Sequence, residues 1–338
     1  MFLPFNSGRL SWPDGPVLFL RARAGSPLQQ HSFPGLLCEQ TFKPDADALK
    51  RAGQAIASSE QANAERAYAL VLVLPPRQRD EARALLARAM AAVKPGGRVV
   101  ACASNNEGAR SHEADLARLS GPVETLTKNK CRVFWTAPLA DVHDASLLAE
   151  WRELDAVRSI AAGRFVSRPG VFAWDRIDVA SALLAEQLPA GLAGRAADLG
   201  AGFGYLSAEL LTRCAGVDAV DLYEAEARAL DLARNNLAAF AERKQLSFLW
   251  HDVTEGLPRS YDLIVTNPPF HTGAREDRPD IGRRFIQVAA AALNRGGRLW
   301  LVANRHMPYE NVLNDSFGTV RTVAHEHGFK IIEAVRTR

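Results

Sequence analysis

The strongest constraint on the fold is a pattern written twice. Residues 67–105, AYALVLVLPPRQRDEARALLARAMAAVKPGGRVVACASN, run through an apolar stretch, a Pro-Pro pair, an Ala- and Leu-rich segment, a Gly-Gly-Arg turn and a second apolar stretch. The same order returns between YDLIVTNPPF and AALNRGGRLWLVAN, where Gly296-Gly297-Arg298 matches Gly96-Gly97-Arg98. Proline cannot donate to a sheet ladder, so each apolar run must stop at its prolines. Short apolar runs alternating with helical segments predict parallel strands covered on both faces. A repeat of this kind points to a duplicated α/β unit; the competing reading is a chance match of strand–helix–strand grammar.

The second half carries the fuller alternation. Strands are predicted at 195–200, 217–224, 246–252, 261–267 and 298–304, with helices at 205–215 and 225–244 and a helix before residue 298 that the glycine pair closes. The last stretch, FGTVRTVAHEHGFKIIEAVR, reads as closing strands on an antiparallel edge. Between the halves, RFVSRPGVFAWDRIDVASALLAEQL (164–188) suggests a short hairpin around Arg168-Pro169-Gly170 and a helix from near Ile177. With 338 residues, about twice a usual domain, the chain is expected to divide into domains 1–155 and 160–338. Both are α/β, with mainly parallel sheets and helices on both faces.

Composition narrows the function classes. Net charge is only +3, with 20 Lys+Arg against 17 Asp+Glu in residues 1–160 and 21 against 21 in the remainder. This permits phosphate contacts without demanding them. Four cysteines without a CxxC pair suit reduced thiols in the cytoplasm rather than a disulfide frame or zinc site. Neither a signal peptide nor a membrane span is expected. No metal is expected either: the nearest histidine pair, His325 and His327, reads as solvent-facing on an edge strand.

The chemistry concentrates at four strand ends. AADLGAGFGYLS (196–207) places Gly200, Gly202 and Gly204 between a strand and a helix, with Asp198 just before them. This is not the dinucleotide fingerprint, which needs Gly or Ala where the chain has Tyr205. A tight turn with no ligand fits the loop alone equally well. Glu224 ends the next strand and suits ribose hydroxyls; Asp252 ends the third and suits an adenine amino group. Each alone could be a solvated strand end. At the fourth, Asn267-Pro268-Pro269-Phe270 forms a stiff loop of acceptors fit for a planar –NH₂ group, and Phe270 can stack on a ring. A bare strand cap is the alternative.

In this order and spacing, DLGAGFG, Glu224, Asp252 and NPPFHTG resemble the class I methyltransferases that use S-adenosylmethionine. With SRPGVF (167–172), IDVASALL (177–184) and GGRLWLVANRHMPY (296–309), the chain is similar to the bacterial ribosomal RNA small-subunit guanine-N2 methyltransferases. That resemblance implies two tandem Rossmann-like methyltransferase domains, the N-terminal copy degenerate. It implies that Asp198, Gly200, Gly202, Gly204, Glu224 and Asp252 bind the cofactor, with Phe172 and Asp178 closing the site. Asn267, Pro268 and Phe270 would hold the guanine. It further implies action on ribosomal RNA or the small ribosomal subunit, and a monomer is expected. The basic excess of the first half, with Arg77 and Arg79 standing where Phe270 and its neighbours would be, suggests that this half positions RNA, with those two arginines as candidate phosphate contacts. The alternatives are the same chemistry on a large-subunit guanine or another planar amine, and a non-catalytic RNA-binding or assembly factor.

Overall fold

The computed structural model describes residues 1–140, 144–269 and 279–337. The chain forms two compact units, Met1–Ala156 and Val157–Arg338. In the first, β1 (Val17–Leu20), β2 (Leu36–Cys38), β3 (Tyr68–Val73), β4 (Val93–Ser104), β5 (Val123–Lys128) and β6 (Cys131–Thr136) make a sheet of order β2-β1-β3-β4-β6-β5. The second opens with a hairpin, β7 (Arg158–Ile160) and β8 (Phe165–Ser167). Its main sheet comprises β9 (Ala193–Leu199), β10 (Gly216–Glu224), β11 (Gln245–Trp250), β12 (Tyr261–Thr266), β13 (Leu293–Asn304), β14 (Thr319–Glu326) and β15 (Phe329–Val335). Their order is β11-β10-β9-β12-β13-β15-β14.

The two sheets follow one plan. Strands β1 to β4, and β9 to β13, pair in parallel; β6 and β5, like β15 and β14, close an antiparallel edge. Among the described residues of the two main sheets, only β11 has no counterpart in the first unit. These are the mostly parallel Rossmann-like sheets that the alternating pattern predicts.

Each sheet is buried on both faces, and the strand period of two sorts the side chains between them. In the second unit Leu263, Val265, Trp300 and Val302 face one core, while Ile264, Leu299 and Leu301 face the other. In the first, Leu18, Leu20, Val71 and Val73 face one side, and Val17, Phe19, Leu70 and Leu72 the other. The Pro279–Ala292 helix covers its face with Phe285, Ile286, Ala289 and Ala292, a helical spacing.

Three local expectations are corrected. The glycine pairs do not close helices but lie inside β4 and β13. In β13 the ladder jumps from Tyr261↔Leu293 to Leu263↔Arg298, and in β4 from Tyr68↔Val93 to Leu70↔Arg98. Both bulges need glycine for close approach: a Cβ on Gly297 would lie 2.8 Å from the Asn294 carbonyl oxygen, and one on Gly97 2.7 Å from that of Ala69. The predicted 225–244 helix breaks at Leu237 into Ala227–Asn236 and Ala238–Ala241, where Asn236 turns its amide to other backbone groups. The hairpin turns at Ala161–Gly163, where Ala162 and Gly163 have φ of 54° and 88°. The Arg168-Pro169-Gly170 turn follows the hairpin, and the next helix spans Val179–Gln187 with Asp178 as its cap.

The four cysteines are free. Among the described residues, no helix is long and apolar enough to cross a membrane, and no cluster of His, Cys, Asp and Glu could hold a metal ion.

Gly282 tests how tightly the second sheet is covered. In an open helix, Gly→Ala would stabilise by about 1 kcal/mol. A Cβ here would instead run into the hydroxyl of Tyr309, itself 1% exposed. Gly282→Ala should therefore destabilise the protein by about 1–3 kcal/mol, read from the denaturant midpoint; an unchanged or raised midpoint would show that this contact is loose.

Candidate active site

Strands β9 and β12 are neighbours, and their register sets the geometry of the site. Leu199 pairs with Thr266, whose Oγ1 donates to the Leu199 carbonyl at 2.7 Å. Gly200 and Asn267 are the next residues on each strand, so the glycine loop and the Asn-Pro-Pro turn leave the sheet side by side. In the strand order this is where the chain direction of succession reverses, the place at which open α/β sheets form their ligand crevice.

The glycine loop is strapped to β10. Gly200 and Ala201 donate to the Tyr223 carbonyl at 2.9 and 3.1 Å, and Gly202 donates to Glu224 Oε2 at 2.7 Å. Glu224 Oε1 accepts from the Glu226 amide at 2.8 Å. Each oxygen retains a second lone pair for a ligand hydroxyl. Gly204 caps the Tyr205–Arg213 helix at φ 89°, which favours glycine, and Gly202 faces open space.

Asp198 lies beneath this loop, fully buried. Ser207 Oγ donates to its Oδ2 at 2.7 Å, while Oδ1 is buried without a hydrogen-bond partner among the described residues. Burial pushes its pKa up to about 7, opposed by the Ser207 hydrogen bond and reinforced by the charge of Glu224. Burial also raises the pKa of Glu224, against the amide hydrogen bonds that favour its charged form. An orphaned acceptor in a low-dielectric pocket is matched to a cationic donor.

Asn267 stands on the other wall. Its Nδ2 donates to Asp178 Oδ2 at 3.0 Å and to Ser181 Oγ at 2.9 Å. Asp178 Oδ2 also accepts from the Ser181 amide at 2.8 Å, as the helix cap. Pro268 is buried and Pro269 exposed. Phe270, like His271, lies outside the described residues. Asp252 caps a short turn, its Oδ1 accepting from the amide and hydroxyl of Thr254 at 2.9 and 2.7 Å. Phe172 is 59% exposed, in the loop between β8 and the Asp178-capped helix.

Ser181, Ser207, Thr266 and Asn236 were not singled out by sequence reasoning. Asn236 Nδ2 donates to the Phe203 carbonyl of the glycine loop at 2.8 Å and to the Val166 carbonyl at 3.0 Å, while its Oδ1 accepts from the Val166 amide at 2.7 Å. It thereby ties the loop to β8. Only Ser181 had a positional hint, three residues after a capping Asp.

The corresponding crevice of the first unit is filled by its own side chains. After β1, the Arg21 amide donates to Glu39 Oε2 at 3.1 Å, as Gly202 does to Glu224. The Arg21 guanidinium reaches the Leu74 carbonyl at 3.3 Å, at the position equivalent to Asn267. Arg88 pairs with Glu39 at 3.0 Å. Arg79 is not a free cation: its Nη2 lies 3.3 Å from Oδ1 of the buried Asp115. Arg77 is exposed.

The raised Asp198 pKa sets a pH dependence. With a folded-state value of about 7 against about 3.9 for a free Asp, the native state holds a proton that the unfolded chain has lost. This contribution to stability is complete at acid pH and is lost as pH rises toward and through about 7. The thermal midpoint of the ligand-free protein should fall more between pH 5 and 8 than that of Asp198→Asn; parallel profiles would place the titration elsewhere.

The methyltransferase small domain family matches residues 162–333. The ribosomal RNA small subunit methyltransferase C of Alteromonas mediterranea is 30% identical over 279 residues, covering 80% of this chain and 74% of its own. That of Salmonella typhi is 30% identical over 263 residues, covering 78% and 74%. The T. thermophilus 16S rRNA N2 G1207 methyltransferase, solved in complex with AdoMet and guanosine, superposes with a TM-score of 0.81 at 26% identity, over 97% of this chain and 90% of its own. With the match running through both units and the glycine loop, paired acids and Asn-Pro-Pro turn converging on one crevice, the chain belongs to the ribosomal RNA small subunit methyltransferase C family.

Proposed function

We propose that the protein transfers a methyl group from S-adenosylmethionine to the exocyclic N2 of a guanine in 16S ribosomal RNA. The observation that carries this reading is the register of β9 and β12, which puts the glycine loop beside Asn267. S-adenosylmethionine, when bound, supplies an already activated methyl group. Asp198 would stand nearest its ammonium, the Glu224 carboxylate would take ribose hydroxyls, and Asp252 would take the adenine amino group. The Asn267 carbonyl oxygen accepts from the guanine amine and holds its lone pair toward the donor. Pro268 and Pro269 stiffen that turn, and Phe270 stacks on the base. Alignment of this kind can lower a barrier by about 7–11 kcal/mol; the nitrogen needs no base before attack, since its proton leaves afterwards.

Supporting the choice of substrate are the named relatives that align across most of both chains and the T. thermophilus enzyme whose partner ligand is guanosine. The test is methylation of 16S ribosomal RNA by the purified protein, with the modified nucleotide identified by mass mapping. Asn267→Ala should lower kcat by about 10²-fold or more, a loss of transition-state orientation, with cofactor affinity nearly unchanged. Glu224→Ala should instead weaken cofactor binding by about 1.5–3 kcal/mol. Near-normal turnover in Asn267→Ala would reduce the Asn-Pro-Pro turn to a strand cap.

The first unit, in this reading, is a degenerate copy that positions RNA. Its filled crevice supports the loss of cofactor binding, and the ion pair of Arg79 leaves Arg77 as the phosphate contact at the head of the Arg79–Ala92 helix. Arg77→Ala should weaken RNA binding and reduce the slope of log affinity against log salt by about one. An unchanged slope would leave Arg77 as a solvated helix start.

A further inference from the structure

A primary amide offers two N–H donors and one carbonyl acceptor, and its two ends are nearly the same shape. At Asn267 both donors are committed on one side, to Asp178 Oδ2 at 3.0 Å and Ser181 Oγ at 2.9 Å. A half-turn of the amide would press its carbonyl oxygen against the Asp178 carboxylate, acceptor against acceptor. A hydroxyl could adapt to either orientation, but a carboxylate cannot. The side chain can therefore show the crevice an acceptor and not a donor.

We infer that Asp178 and Ser181 are positioning residues that fix the hydrogen-bond polarity of Asn267, restricting the reacting wall to a planar amine and rejecting a carbonyl edge. Guanine carries both groups: N2 donates and O6 accepts. An amide free to flip would hold the ring equally well by O6, with N2 turned away. The inference rests on the proposed reaction, in which the acceptor on Asn267 receives the target amine. The geometry gives the pair a second consequence. Asp178 Oδ2 also caps the Val179–Gln187 helix through the Ser181 amide at 2.8 Å. One carboxylate oxygen thus locks the start of that helix to the Asn-Pro-Pro turn.

Ser181 is 7% exposed, so the test needs variants matched in bulk. Ser181→Thr and Ser181→Val differ in a hydroxyl against a methyl and share any strain. With 16S ribosomal RNA as substrate, Ser181→Val should show a kcat about fivefold or more below Ser181→Thr, the effect of one hydrogen bond. Their S-adenosylmethionine affinities and thermal midpoints should agree. Equal kcat values, or a difference confined to cofactor affinity, would overturn the role of Ser181.

A polarity swap tests the pair without relying on that site. Asn267→Asp sets two carboxylates against each other and should be nearly inactive. Adding Asp178→Asn restores a donor facing an acceptor and leaves an acceptor oxygen on residue 267. Because that donor takes the place of the oxygen that also accepts from the Ser181 amide, the helix cap passes to the other end of the new amide at residue 178, and the thermal midpoint of the double variant is read beside its kcat. The double variant should regain at least tenfold in kcat over Asn267→Asp, and a double variant no better than the single would overturn the inference. Wild-type protein is assayed in parallel. If it methylates no guanine, the proposed function fails; if it does and the swap restores nothing, the positioning role alone fails.

Discussion

The site depends on one pairing at the middle of the second sheet. Leu199 and Thr266 sit opposite each other, and the buried Thr266 hydroxyl stitches the two strands at their last rung. A slip of one residue in a parallel pair would turn every side chain of β12 to the opposite face. The alternation of Leu263 and Val265 against Ile264 between two separate cores forbids that slip. Core packing thereby fixes the position of Asn267 relative to Gly200, although neither residue belongs to the core.

The crevice itself is electrostatically unfinished. Asp198 is fully buried with one oxygen lacking a hydrogen-bond partner among the described residues, and Glu224 stands close enough to reinforce its shift. Two acids in low dielectric resist joint ionisation, and protein interiors rarely leave such an acceptor unsatisfied without a reason. The neighbouring backbone relieves it only in part: the Ser207 amide opposes the shift of Asp198, while the Gly202 and Glu226 amides are spent on Glu224. The arrangement costs the ligand-free protein stability, since a buried acid without a full set of partners carries a desolvation penalty.

Much of this was legible in the sequence because it followed from periodicity and punctuation. Apolar runs ending in Asp-Leu-Gly, Glu224, Asp252 and Asn-Pro-Pro located the strand ends, and a parallel sheet places such ends along one edge. The repeat exposed the second sheet in the same way. What could not be read were contacts distant in sequence. Asn236 looked like an ordinary residue of a long helix, yet it breaks that helix and holds Phe203 and Val166. Asp178 was assigned a place on the cofactor side by resemblance; its Oδ2 reaches Asn267, 89 residues away. The glycine pairs followed the expected helices closely enough to pass for caps, because a bulge and a cap ask the same residue for different reasons.

The first unit gives Arg21 an unusual standing. Its backbone amide occupies the carboxylate of Glu39, and its guanidinium spans to Leu74 across the position a cofactor would take. A side chain on the same chain competes at an effective concentration of about millimolar or higher, even on a flexible tether. Unlike a dissolved metabolite, it is never diluted. The strand ends of this unit thus carry an occupant of their own, held by the chain and not drawn from solution.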